Sequence, residues 1–74
     1  MFKFIMVLKK GIDLILLTQK DNTVDKTIIR DGQPKGTKWE LDTIDQADEL
    51  MALEIGTAEN LGFEKFAYRV EKEK

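Results

Sequence analysis

Large apolar residues alternate with other residue types near the start of the chain. Every second residue from 2 to 8 is Phe, Met or Leu, and Ile5 and Val7 make the alternate positions partly apolar as well. A period of two in such residues is typical of a strand, and apolar character on both faces indicates a strand inside a sheet. A glycine-containing loop at residues 9–11 then predicts a hairpin, with a second strand at residues 12–18.

Two further strands are predicted before the pattern becomes helical. Asp21-Asn22 is a turn pair, because both side chains can bond their own backbone and both tolerate left-handed conformations. Residues 24–30 follow this turn as a third strand. Residues 31–36 contain two glycines and the only proline of the chain, which indicates a surface loop. Residues 37–41, around the single tryptophan, form the predicted fourth strand.

The strongest local signal is the start of a helix at Thr43. Gln46 follows three residues later, as in the capping box, in which each side chain reaches the backbone N–H of the other residue. Apolar residues then recur at helical spacing, and we expect Met51 and the two isoleucines of this stripe to be buried. Gly62 supplies the stop, whereas Gly56 leaves open either one helix or two shorter ones. The stripe contains Ile44, Ala47, Met51, Ile55 and Ala58, with Leu50 and Leu61 on its flank.

A final strand is predicted after Gly62, where apolar and basic residues alternate again. Phe66, Tyr68 and Val70 form one set of positions, and we expect Phe66 and Tyr68 to face the core. The predicted fold is therefore α+β. It is an antiparallel sheet of four to five strands with one amphipathic helix on one face, in the order β-β-β-β-α-β. Residues 1–70 form a single domain in this prediction, and residues 71–74 form a flexible charged tail.

The composition is that of a small folded protein without chemical cross-links. The chain has 74 residues, 42% hydrophobic and 35% charged, and it contains neither Cys nor His. Disulfides and the usual zinc ligand sets are therefore excluded, so the core or a second copy of the chain must hold the fold. No run approaches the roughly 20 apolar residues of a membrane span, and the N-terminus lacks a signal-peptide pattern. The chain is predicted to be cytoplasmic and to contact no membrane.

Catalytic chemistry is poorly represented in the sequence. His and Cys, the commonest general base and the best nucleophile, are absent, and Ser is absent as well. Asp42, Asp45 and Asp48 fan around the predicted helix by about 60° per step, so they do not converge on a metal ion. Residues 31–36 lack the Gly-Lys-Ser/Thr ending and the following helix of a phosphate loop. We expect a non-enzyme with no cofactor and no metal site.

Charge is divided unevenly along the chain. Residues 39–64 carry eight acidic residues and no Lys or Arg, whereas the rest of the chain has twelve basic and six acidic residues. A solvated helix face is commonly charged, but it usually mixes signs at spacings of three and four residues. Leu53 also falls opposite the core stripe. These features predict a regulatory or inhibitory module that binds a basic groove of another protein through Asp45, Asp48, Glu49, Leu53 and Glu59.

Two other kinds of partner are compatible with the sequence. A basic sheet and hairpin surface would bind nucleic acid through phosphate contacts, with Lys9, Lys10, Lys20, Lys26 and Arg30 as the alternative site. A homodimer is the second possibility. Because an acidic helix would face itself across a symmetric interface, we expect such a dimer to use a sheet edge, at residues 63–70.

Overall fold

A five-stranded antiparallel sheet forms the body of the protein, and one helix packs on one of its faces. The structure, a computed structural model, describes residues 2–72. In chain order the elements are β1 (Phe2–Lys10), β2 (Asp13–Lys20), β3 (Thr23–Arg30), β4 (Gln33–Glu40), α1 (Ile44–Asn60) and β5 (Glu64–Lys72). The strand order across the sheet is β4-β3-β2-β1-β5, because β5 returns after the helix to pair with β1. The predicted α+β class and order of elements are confirmed.

Three two-residue turns connect the first four strands at intervals of ten residues. They are Gly11-Ile12, Asp21-Asn22 and Asp31-Gly32. The first residue of each turn has a positive φ, at 62° for glycine and at 52° and 55° for the two aspartates. Glycine adopts this conformation without steric cost, and aspartate is among the residues that tolerate it best. The first hairpin loop was predicted at residues 9–11, but Lys9 and Lys10 lie in β1.

The predicted loop at residues 31–36 is wrong beyond its first two residues. Pro34 lies in β4 opposite Ile29, and Gly36 lies opposite Thr27. Proline and glycine normally argue against a strand, but β4 is at the edge of the sheet and needs hydrogen bonds along only one side. The edge position therefore explains how residues with low strand propensity continue the ladder.

The helix begins at the predicted cap. The hydroxyl of Thr43 accepts a hydrogen bond from the backbone N–H of Gln46 at 3.1 Å. The Gln46 side chain accepts from the backbone N–H of Asp42 at 3.0 Å, one residue earlier than the capping box predicts. The helix passes through Gly56 without a break, and it ends before Gly62, whose φ is +96°. A single helix of 17 residues is thus formed.

Replacing the cap should weaken the protein measurably. We expect Thr43→Ala to lower the free energy of unfolding by about 1 kcal/mol, because the N–H of Gln46 loses its partner. Thr57→Ala is the matched control within the same helix. The Thr57 hydroxyl donates to the carbonyl of Leu53 at 2.9 Å, a bond that competes with helical geometry, so alanine should be neutral or stabilising there. Thermal unfolding followed by circular dichroism measures both. Equal losses in the two variants would contradict the capping role.

The core lies between α1 and the central strands. Met51 is 3% exposed, as predicted, and Ile55 is partly buried against the same cluster. Ile44 and Leu61 were expected on the stripe and its flank, but they are 47% and 58% exposed. They lie at the two ends of the helix. Helical spacing predicts the direction in which their side chains point, but it does not predict whether a strand lies there to cover them. The buried cluster is Met6, Leu8, Ile15, Leu17, Val24, Ala47, Met51, Ala58 and Phe63.

Phe66 and Tyr68 are not buried in the core as predicted, although Tyr68 lies opposite Met6 on the helix side of the sheet. They are 67% and 73% exposed, and Val70 is 47% exposed. β5 is an edge strand and α1 contacts it less than it contacts β2 and β3, so its apolar residues receive little cover. The pairing of β1 with β5 also shifts between Val7 and Leu8. Next to this shift the Phe66 ring lies 5.4 Å from the Lys9 ammonium group, at a distance typical of a cation–π contact.

The last strand continues further than the sequence predicts. Glu71 pairs with Lys3 across the β1–β5 ladder, and the strand ends at Lys72. Residues 71 and 72 of the predicted tail therefore belong to the sheet. Residues 73–74 of that tail lie outside the described part of the chain.

Candidate acidic groove

A groove lies beside the helix, on the side of the sheet where β1 and β5 meet. Phe4 in β1 and Val70 in β5 are paired in register and face the helix side of the sheet. Because α1 packs mainly over β2 and β3, Phe4 is only partly buried and Val70 is exposed, and the two form the floor of the groove. Its volume is about 380 Å³. The lining residues are Phe4, Gln19, Asp48, Met51, Ala52, Ile55 and Val70.

A buried glutamine fixes the acidic wall of this groove. Gln19 is 2% exposed, and its side-chain amide donates to the carboxylate of Asp48 at 2.7 Å and to the carbonyl of Asp21 at 3.1 Å. A buried amide must be hydrogen-bonded to avoid a large desolvation cost, so this pair holds Asp48 at one position. The sequence interpretation missed Gln19. Its signal was the alternation of β2, which places it on the same face as Ile15 and Leu17.

Acidic residues continue along the helix on the groove side. Asp45 lies one turn before Asp48, and Glu59 lies two turns after Ala52. Spacings of three, four and seven residues return to the same side of an α-helix, so these residues form a single row. Asp48 and Ala52 line the groove, whereas Asp45 and Glu59 do not; their helical spacing places them on the same side of the helix, before and after the lining residues. We call Asp45, Asp48 and Glu59 the acidic row.

The structure divides the predicted partner-binding set in two. The acidic row accounts for three of its five residues. Glu49 and Leu53 point away from the sheet, on the outer surface of the helix, and Leu53 is 64% exposed. The predicted outward orientation of Leu53 is therefore correct, but Leu53 does not line the groove.

The predicted basic set does not form one surface. Lys10 lies two residues after the buried Leu8, and Lys26 pairs with the buried Leu17, so both face the helix side. Lys9 and Lys20 face the opposite side of the sheet. The ammonium of Lys10 donates to the carbonyl of Leu61 at 2.7 Å, and Lys26 bonds Glu54 at 2.6 Å. Arg30, the fifth residue of the set, is the last residue of β3 and lies next to the turn of the β3–β4 hairpin.

Arg30 contributes to a second concavity, of about 460 Å³, at this hairpin. Ile28 is its half-buried residue, and the other lining side chains are exposed. Arg30 and Lys35 are accompanied there by Asp31, so the charges are mixed. The lining residues are Ile28, Arg30, Asp31, Gln33, Pro34 and Lys35. This concavity lacks the buried polar anchor of the groove beside α1, where Asp48 is the charged lining residue.

Neither a metal cluster nor a membrane-spanning helix is found between residues 2 and 72. Within that range no three carboxylates come together as a cation site, and α1 is neither long nor apolar enough to cross a bilayer. Comparison of the chain with protein-family models, with curated proteins and with solved structures returned no match.

Proposed function

We propose that the protein is a non-catalytic module that binds a basic, partly apolar segment of another protein in the groove between α1 and the β1–β5 pair. The observation that carries this proposal is the combination of an apolar floor with an acidic row along one wall. By occupying the bound segment, the module would regulate or inhibit the protein that carries it.

The floor of the groove supports an apolar anchor. Phe4, Met51, Ile55 and Val70 supply aromatic, thioether and aliphatic surface. Ala52 has a small side chain, and a Cβ added at Gly56, one turn later, would meet no atom within 4 Å. The helix wall is therefore open to close approach by a partner. Partner-binding sites of this kind commonly hold one or two aromatic or aliphatic anchors, with polar groups at the rim.

The charge of the wall supports a basic partner. No Lys or Arg stands between the members of the acidic row along the helix. Asp48, the member that lines the groove, is held in place by its hydrogen bond from Gln19. Potentials of opposite sign across an interface select the partner and accelerate its association. A segment with lysine or arginine on both sides of an apolar anchor satisfies both features of the groove.

A titration with defined peptides tests this proposal. The probe is a synthetic peptide with a central Leu-Phe anchor flanked by lysines, and its counterpart carries glutamates at the same positions. We expect the basic peptide to shift the backbone amide resonances of Ala52, Ile55 and Val70, and the acidic peptide to leave them unchanged. Neutralising the acidic row with Asp45→Asn, Asp48→Asn and Glu59→Gln should weaken binding by about tenfold, because three opposite charges at the rim are removed.

A matched triple variant separates the site from net charge. Glu40→Gln, Asp42→Asn and Glu49→Gln remove the same number of charges at exposed positions away from the groove. This control should bind the basic peptide within about twofold of the wild type at moderate salt, where distant surface charges are screened. Equal weakening in both triple variants would show an unspecific charge effect. Loss of binding in Leu53→Lys alone would place the binding surface on the outer side of the helix. Either result overturns the groove.

A further inference from the structure

The face of the sheet opposite the helix has an apolar centre, and α1 does not cover it. The register places Ile5 and Val7 of β1 beside Thr18 and Leu16 of β2, and the same face continues into β3. Across the described residues, 2–72, no helix or strand packs on this face, because α1 lies on the other side. Five half-buried aliphatic side chains form the centre of what we call the open face: Ile5, Val7, Leu14, Leu16 and Ile29.

The protein exposes more surface than a chain of its size normally does. Its accessible surface is 5261 Å², whereas the scaling for folded monomers gives about 4,700 Å² at 8.5 kDa. The excess, roughly 600 Å², is comparable to the area of one face of this sheet. Five strands about 4.8 Å apart and eight residues rising about 3.3 Å each span a projected area of roughly 600 Å². Specific protein interfaces bury about 600–1,000 Å² on each partner, so the open face reaches the lower end of that range.

The charges around the open face are compatible with a second copy of the same chain. Asp25 lies opposite Lys38, and Lys3 lies opposite Glu71, so both signs occur within single rows of the sheet. Between residues 2 and 72 the face carries five basic and four acidic side chains, a nearly neutral balance that does not oppose self-association, unlike the acidic row. They are Lys3, Lys9, Lys20, Lys38 and Arg69, with Asp25, Glu40, Glu64 and Glu71.

We infer that the open face is the interface of a symmetric homodimer, in which two sheets stack face to face. A two-fold axis that maps the face onto itself sets β2, the third of five strands, against β2 of the other copy. Leu16 then lies near the centre of the interface. The acidic groove lies on the opposite side of each sheet and stays accessible. The outer edge of β5 is less suited to pairing, because charged side chains and the register shift next to Val7 are features that protect sheet edges.

Sedimentation velocity over a concentration series tests this inference. We expect the wild-type chain to form a dimer, and Leu16→Lys to raise the dissociation constant by about tenfold or more, because an ammonium group replaces a central apolar contact. Leu16→Thr is the milder variant if the lysine variant does not fold, since threonine is favourable in strands. Leu53→Lys is the matched control, because it introduces the same side chain on the outer surface of the helix and should leave the dimer intact.

Three results would overturn the open face as the interface. The first is a wild-type chain that stays monomeric at every concentration. The second is a dimer that survives Leu16→Lys or Leu16→Thr with an unchanged circular dichroism spectrum. The third is protection of outward-facing β5 amides from hydrogen exchange as concentration rises, without shifts of the Leu16 and Val7 methyl resonances, which would assign the dimer to the sheet edge. Peptide binding in the groove is measured separately, so the two proposals can fail independently.

Discussion

Replacing Leu17 with alanine should lower the free energy of unfolding by about 3 kcal/mol. Leu17 is fully buried in β2, the central strand, and belongs to the cluster under α1. Leucine-to-alanine substitutions at such positions cost about 2–5 kcal/mol, because apolar surface is lost and a cavity remains. A domain of this length has a total stability of about 4–11 kcal/mol, so the change removes a large fraction of it. Urea denaturation followed by the fluorescence of Trp39 measures the effect.

Leu53→Ala is the control for this substitution. The same atoms are removed, but Leu53 is 64% exposed on the outer surface of the helix, and its replacement should change stability by less than about 0.5 kcal/mol. If Leu17→Ala proves too unstable to study, Leu17→Val reports the same site at smaller cost. Similar losses at residues 17 and 53 would mean that the packing of α1 on β2 is not the main source of stability.

The strands and the helix could be predicted because their signals are local. The period of two in β1 and the Asp21-Asn22 turn pair each depend on neighbouring residues alone. The same is true of the Thr43 cap. Pro34 shows where this reasoning fails. The low strand propensity of proline led to the prediction of a loop. Whether a strand accommodates proline depends on whether that strand is central or at an edge, which only the complete sheet determines.

The burial of β5 could not be predicted from its own pattern. Alternation correctly indicated a strand, and Tyr68 does lie opposite the buried Met6 on the helix side of the sheet. Whether that side is covered depends on where a helix 17 residues long crosses five strands. The helix lies over β2 and β3, so Tyr68 remains exposed.

Long-range geometry also determines which features of the groove the sequence could predict. Helical spacing sufficed to place Asp45, Asp48 and Glu59 on one side of the helix. It could not show that this side faces Phe4 of β1, which lies 44 residues before Asp48 in the sequence. The buried hydrogen bond from Gln19 to Asp48 likewise joins two elements whose contact depends on the complete fold.

The second large effect concerns the ion pair between β3 and α1. Lys26 and Glu54 are 2.6 Å apart, and their side chains are only 19% and 15% exposed. We expect Lys26→Met to lower the free energy of unfolding by about 2 kcal/mol, because the Glu54 carboxylate is left without its partner in a partly desolvated position. The estimate is below the about 3–5 kcal/mol of fully buried pairs, since water still reaches both groups.

A double replacement distinguishes the effect of the lost ion pair from the effect of the lost side-chain volume. Lys26→Met combined with Glu54→Leu removes both charges and keeps apolar volume between β3 and the helix, so it should recover most of the loss.

Arg69 and Glu71 provide the exposed comparison, at 3.0 Å with side chains 74% and 44% exposed. Glu71→Gln should change stability by less than about 1 kcal/mol, and high salt should abolish that change. The loss in Lys26→Met should persist in high salt, because the pair is shielded from solvent ions. Salt-sensitive losses of similar size in both single variants would mean that the Lys26–Glu54 pair behaves as a surface pair and does not anchor the helix to β3.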